Sequence, residues 1–216
     1  MEKNQLLAER NRGFFRAKKL LVLNVVSSPG SGKTTFIRET AAKLGARLRV
    51  GVIVGDLATD NDAARLRTAG IPVVQITTGT VCHLDADMVS KAASQLDLDK
   101  LDVLVIENVG NLVCPADYDL GEDLRVVLLS TTEGEDKPLK YPPMFHSANV
   151  AIITKSDMAS AAGFNRTMAL ANLNHVSHHA KIFELSAKTG DGMQAWLDFL
   201  VSQNLAHRKE ISFVAS

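Results

Sequence analysis

Leu20-Leu-Val-Leu-Asn-Val-Val-Ser-Ser-Pro-Gly-Ser-Gly-Lys-Thr-Thr35 runs from an apolar segment into a glycine-rich turn that ends on lysine and threonine. Residues 20–26 show almost no polar alternation, as a strand buried on both faces requires. The turn fits the phosphate-loop template, except that Ser27 stands where the template begins with glycine. A chain wrapped around a polyphosphate must point its N–H groups inward, and Gly30 and Gly32 permit backbone conformations that a side chain would hinder. Lys33 then reaches the β and γ phosphates and the Thr34 hydroxyl coordinates Mg²⁺. The helix starting here aims its positive end at the anion. Ser28, Pro29, Gly30, Ser31, Gly32, Lys33, Thr34 and Thr35 are the candidate nucleotide-binding residues of this loop.

Outward from the loop, apolar runs rich in Val, Ile and Leu recur at 50–54, 73–76, 101–106, 126–129, 150–153 and 181–185. Stretches of helical length lie between many of them, at 34–44, 60–69, 84–96, 161–174 and 193–203. Strand and helix in alternation predict an α/β fold: a P-loop NTPase with a mostly parallel sheet of about seven strands flanked by helices. Residues 1–19 read as an N-terminal amphipathic helix carrying Leu6, Leu7, Phe14 and Phe15, residues 20–205 as the P-loop domain, and 206–216 as a C-terminal tail, frayed or docked.

Composition narrows the function classes. Lys+Arg and Asp+Glu number 24 each, so no summed field gathers nucleic acid or an anionic membrane. Arg47, Arg49, Arg65 and Arg67 read as solvated charges. No apolar run approaches the ~20 residues that span a bilayer, and the opening Met-Glu-Lys-Asn-Gln is not a secretory leader; cytoplasmic residence is the expectation. Two cysteines, Cys82 and Cys114, are too few for a disulfide framework.

In parallel sheets ligands bind at the carboxyl ends of strands, so the residues after each run carry the chemistry. Gly55-Asp-Leu-Ala-Thr-Asp60 follows the second run and Glu107-Asn-Val-Gly110 the fourth. Many GTPases use Asp-x-x-Gly there, the acid on Mg²⁺ and the glycine amide on the γ-phosphate; here Glu107 takes the acidic place and Gly110 the sensor place. Asp56 and Glu107 join Thr34 as candidate Mg²⁺ ligands, and Lys33, Asp56, Asp60 and Glu107 are the catalytic candidates. Asp60 reads equally as the N-cap of the next helix.

Thr154-Lys-Ser-Asp157 follows the sixth run and is a variant of the Asn-Lys-x-Asp guanine reader. A carboxylate at Asp157 accepts from both N1–H and the 2-amino group of guanine, a donor pair adenine lacks. Lys155 lays its aliphatic stem along the base. Ser186-Ala-Lys188, after the seventh run, supplies the second guanine element, with the Ala187 amide toward the base oxygen and Ser186 and Lys188 beside it. GTP and GDP are the expected nucleotides.

Cys82 and His83 are adjacent, and Cys114 lies just beyond Gly110. Two thiolates and an imidazole suit Ni²⁺ or Zn²⁺, with three ligands per chain that a symmetric dimer would complete. The same residues also read as two buried small hydrophobes with His83 capping a helix.

With these stretches in hand the chain resembles the hydrogenase nickel-incorporation GTPases of the HypB family. The resemblance covers nearly the whole chain. It includes Ser27-Ser-Pro-Gly-Ser-Gly-Lys-Thr-Thr35, Gly55-Asp-x-x-Thr-Asp-Asn-Asp62, Cys82-His-Leu-Asp-Ala86, Glu107-Asn-Val-Gly-Asn-Leu-Val-Cys-Pro-Ala116 and Thr132-Glu-Gly-Glu-Asp-Lys-Pro-Leu-Lys-Tyr-Pro142. It implies a GTP-dependent metallochaperone that dimerises with nucleotide. It also implies Ni²⁺ or Zn²⁺ at Cys82, His83 and Cys114, and work beside other nickel-maturation proteins on the hydrogenase large subunit. Some relatives carry a cysteine-rich or histidine-rich N-terminal nickel stretch, which this sequence lacks before Phe14, so high-affinity nickel storage is not expected. His175, His178 and His179 read as a solvated face. The related urease-accessory GTPases, the nearest rival, carry a Cys-Pro-His element rather than adjacent Cys-His with a second cysteine, and Asn111-Leu-Val-Cys-Pro115 argues against them; a non-catalytic metal-binding nucleotide switch is the rival of another class.

Overall fold

Strand β1 (Leu21–Ser27) is buried along its whole length, which demands a strand on each edge and helices over both faces. In the computed structural model, which describes residues 2–57 and 60–214 with no side-chain detail beyond Ile211, its edges are taken by β4 (Val103–Gly110) and β5 (Leu124–Ser130). Beyond β4 lie β2 (Val50–Asp56) and β3 (Val73–Thr77); beyond β5 lie β6 (Val150–Thr154) and β7 (Lys181–Glu184). The order is β3-β2-β4-β1-β5-β6-β7 and every recorded pair is parallel. The chain leaves β1 first toward β2 and later toward β5, so the crevice beyond β1 is the switch point where such sheets take ligands.

Alternate residues of the strands feed different layers. Leu21, Leu23 and Val25 pack under α2 (Lys33–Leu44), α3 (Asn61–Thr68) and α8 (Met193–Val214). Val22 and Leu104 pack under α1 (Glu2–Ala17) and α4 (Ala86–Ala93). Val127, Leu129 and Ala151 meet α6 (Pro142–His146) and α7 (Arg166–Val176), with the four-residue α5 (Lys137–Lys140) just before α6. Trp196 is wholly enclosed on α8 and gives its indole N–H to Thr40 at 3.1 Å. Burial of each such side chain contributes about 1.5–3 kcal/mol.

Departures from the sequence expectation have local causes. The expected helix 84–96 starts later, because the Asp85 carboxylate caps it by accepting from Met88 N at 2.8 Å. The expected 161–174 helix starts at Arg166, where Asn165 does the same for Met168 N. Helices α5 and α6 lie outside the helical stretches read from the sequence; Pro138, Pro142 and Pro143 sit in their first turns, where no N–H is needed. The tail expected from Ala206 is instead a continuation of α8 to Val214. Asn204 of that helix donates to Asp102 O at 3.0 Å, and Arg208 reaches the Asp102 carboxylate at 2.5 Å. Arg49 closes the same carboxylate from β2's side at 2.9 Å and holds its pKa down, so it is not a merely solvated charge. Ala58 and Thr59 of the acidic 55–60 stretch, and Met1, Ala215 and Ser216, lie outside the described residues.

One polar network matters for the site. Arg125 and Glu122 form a buried pair at 3.0 Å, with side chains only 9% and 7% exposed. Arg125 also donates to Ala116 O at 3.0 Å, Tyr118 O at 2.8 Å and Ser147 Oγ at 2.9 Å. It thereby clamps the 3₁₀ turn Cys114–Asp117 onto β5. Removing one member leaves a buried charge uncompensated, so Arg125→Met is expected to lower unfolding free energy by roughly 3–5 kcal/mol in urea titrations read by Trp196 fluorescence. A loss under about 1 kcal/mol would show that the clamp is dispensable.

Candidate nucleotide and metal site

The phosphate loop forms where β1 stops and α2 begins. Gly30 and Gly32 take positive φ of 75° and 93°, the values the turn requires and glycine tolerates. Ser27, the departure from the template, accepts from Lys33 Nζ at 3.0 Å and donates to Ser28 O at 2.8 Å. Ser31 also donates to Ser28 O at 2.8 Å, drawing the loop into a cradle, and is held from outside by Glu133 at 3.2 Å. Thr34 donates to Glu107 Oε1 at 2.7 Å.

Burial governs the charges here. It pushes the Glu107 carboxyl up to about 7, against the Thr34 hydrogen bond and the attraction of Lys33. It pushes Lys33 down, against Glu107, Asp62, Glu133 and Asp56. Glu107 Oε2 is buried with no hydrogen-bond partner among the described residues. An acceptor oxygen in that condition, next to a threonine hydroxyl, suits a hard cation.

The cavity over the loop measures about 420 Å³ and is lined by Pro29, Gly30, Gly32, Lys33, Thr34, Thr35, Asp56, Glu107 and Gly110. Asp60 does not line it. It is largely exposed and pairs with Arg67 at 2.6 Å, and its side chain makes no cap bond to α3. The cavity wall is formed instead by Asp62 and Arg65, one turn apart on α3 and paired at 3.3 Å. Asp62 closes the quoted 55–62 stretch without being a site candidate, and Arg65, expected as a solvated charge, stands on the same helix face through the i,i+3 spacing.

A second cavity of about 260 Å³ shares Gly32 and Thr35 with the first and is otherwise lined by Ser31, Phe36, Thr154, Lys155, Asp157, Met158, Ser186, Ala187 and Lys188. Every residue of the two expected guanine elements except Ser156 is on that wall. Ser186 Oγ fixes the Asp157 carboxylate at 2.6 Å. Lys155, in the left-handed region at φ 56°, reaches back to Gly30 O at 2.7 Å, and its stem lies over Gly32. The Thr154 hydroxyl, where an amide was expected, donates to Ser31 O at 3.1 Å. The base elements are thus tied directly to the phosphate loop.

Cys82, His83 and Cys114 converge, their ligand atoms all within 4.8 Å of one another. The two sulfurs are 2.8 Å apart, well beyond a disulfide bond length. Both cysteines are half-buried, and Asp85 rather than His83 caps α4, which removes the two structural explanations for these residues. The His83 ring stacks on Tyr118 with centroids 3.8 Å apart, and its Nδ1 is buried without a partner among the described residues. Asn111 ties the halves together by donating to Cys82 O at 3.1 Å while accepting from Val113 N at 2.9 Å. The Cys114 thiol beside Cys82 holds its pKa above the ordinary value. A proton shared between two sulfurs is what a soft divalent ion displaces.

Residues 21–184 match the family model described as CobW/HypB/UreG, nucleotide-binding domain. The hydrogenase maturation factor HypB of Escherichia coli (strain K12) is 50% identical over 206 residues, covering 95% of this chain and 71% of that protein. Among solved structures, HypB from Helicobacter pylori in complex with nickel superposes with a TM-score of 0.91 at 41% identity, covering 94% of this chain and 96% of that one. The hydrogenase maturation factor HypB from Archaeoglobus fulgidus superposes with a TM-score of 0.88 at 39% identity, covering 94% and 100%. The chain therefore belongs to the CobW/HypB/UreG family and, within it, to the HypB hydrogenase maturation factors.

Proposed function

We propose that the chain is a cytoplasmic GTPase that carries nickel toward the hydrogenase large subunit, using nucleotide state to govern a Cys82–His83–Cys114 metal site within a homodimer. One observation carries the reading. Strand β4 runs from Glu107, bonded to Thr34, to Gly110, where an added Cβ would lie 3.0 Å from Pro29, and within four residues reaches Cys114. The phosphate loop and the thiol pair are two ends of one short path.

Lys33 and the inward amides of the loop hold the β and γ phosphates and stabilise the charge that develops during hydrolysis. Asp157, fixed by Ser186, selects guanine. Thr34, Asp56 and Glu107 are the residues that would hold Mg²⁺, and their fit rests on the unpartnered Oε2 of the Glu107 carboxylate, whose other oxygen accepts from the Thr34 hydroxyl. When bound, that ion neutralises charge on the phosphate oxygens. Nickel is cargo: two thiolates and an imidazole supply three ligands, zinc suits the same set, and a second copy of the chain completes the shell. Other maturation proteins are the donors and recipients.

Three outcomes are expected. Lys33→Ala should slow phosphate release from Mg²⁺-GTP by about 100-fold or more, and turnover at the wild-type rate would remove the phosphate-site assignment. A wild type that itself released no phosphate from Mg²⁺-GTP would favour a non-catalytic switch instead. Nickel titrations should give different affinities in the GTP-analogue and GDP states, and both weaken in Cys82→Ala and Cys114→Ala; equal affinities in the two states would refute the coupling. Because Cys82 holds its proton above the ordinary pKa, nickel must expel it. Apparent nickel affinity should therefore climb between pH 6 and pH 8, by up to about tenfold per unit for each proton released. A flat profile would mean that the thiols are not the ligands.

A further inference from the structure

Four of the six histidines of the chain, His146, His175, His178 and His179, gather at one corner of the fold. Three are close in sequence, but His146 comes from elsewhere, as the last residue of α6. The ring of His179 meets His146 edge-on at a centroid distance of 5.5 Å and 81°, and meets His178 at 5.5 Å and 85°. Two imidazoles bound to one ion at about 2.1 Å place their centroids roughly 4.5–5.2 Å apart, a little closer than the 5.5 Å that separates His179 from each of His146 and His178, so these exposed side chains would have to turn to close on an ion.

Two features prepare the corner for a cation. His146 Nδ1 lies 3.2 Å from Val176 O. A carbonyl only accepts, so Nδ1 carries the proton and Nε2 keeps its lone pair, the arrangement by which backbone carbonyls orient metal-ligating histidines. Val176 also ends the eleven-residue α7, whose carbonyl end concentrates negative partial charge at this spot. His175, in the last turn of α7, shares with His146 the wall of an open cavity of about 540 Å³.

We infer that His146, His178 and His179 form a second binding site for a borderline divalent ion of the nickel or zinc class, separate from the thiol site. Imidazole ligands without thiolate suit such ions, with solvent filling the remaining positions. His146 precedes β6 and His178 and His179 precede β7, so the corner lies at the amino ends of the parallel strands. The nucleotide loop and the cysteines follow the carboxyl ends. Occupancy is therefore independent of nucleotide, and the site holds metal without releasing it on hydrolysis.

The test uses the full chain without an affinity tag and Ni²⁺ alone as probe, in equilibrium dialysis. The Cys82→Ser/Cys114→Ser variant should retain about one weakly bound nickel per chain, with the same affinity in GTP-analogue and GDP states. Adding His146→Ala should weaken this binding by about tenfold or more, since losing a ligand costs at least as much as losing its outer-shell partner. His178→Ala/His179→Ala should abolish it. All these side chains are exposed, so guanine-nucleotide binding should be unchanged in every histidine variant. The site does not exist if the cysteine-free variant binds no nickel, or if His146→Ala leaves its residual binding untouched. A nucleotide dependence of that binding would overturn its independence from the switch.

Discussion

The parallel pairing of β1 with β4 is the constraint on which the rest depends. Leu21 pairs with Val103 and Val25 with Glu107, but the next pair is Ser27 with Gly110, so β4 carries one extra residue as the strands end. Such a bulge re-aims side chains beside a site. Here it turns Glu107 onto Thr34 and frees Asn108 to bond both its neighbour Val109 at 3.0 Å and Asn24 at 3.2 Å. Gly110 can then lie against Pro29, where any side chain would press on the backbone. A sheet without that pairing would have a phosphate loop and a cysteine turn, but no contact between them.

The same place stores electrostatic cost. A lysine and a glutamate are enclosed together, yet burial moves each toward its neutral form, Glu107 to about 7. The arrangement is one a polyphosphate and a hard cation relieve, because they return to each group the opposite charge it lacks. Lys33 donates to Ser27 and Glu107 accepts from Thr34, both uncharged hydroxyls. The serine in place of the template's first glycine thus gives the lysine an alternative partner that glycine could not.

The fold was legible in the sequence to the extent that burial on both faces leaves a continuous apolar run: all seven strands were read, within a few residues. Sites made of neighbours in sequence were legible too, as with the phosphate loop and Cys82-His83. What escaped depended on distance in space. Asp60 and Asp62 are two residues apart in one acidic stretch, and only the start of α3 decides that Asp62 faces the cavity while Asp60 turns to Arg67. Arg125, which clamps the cysteine turn, sits in a run of valines and leucines and is visible only through the carbonyls it reaches. His146 likewise joins the other histidines because α6 ends beside α7.

These long-range links also decide how the metal site can respond. The cysteine turn is clamped on one side by Arg125 to β5 and on the other by Asn111 to Cys82 O. Between Glu107 and the Asn111 clamp only the Asn108–Gly110 stretch can absorb a shift, and it holds the bulge. A γ-phosphate that draws the Gly110 amide inward cannot drag the clamped turn as a whole. On the proposed coupling it would instead act on the short segment before Cys114, changing the distance and angle between Cys114 and the Cys82–His83 pair. Metal coordination is sensitive to both, so on the proposed coupling a small displacement at Gly110 would alter nickel affinity without unfolding the turn.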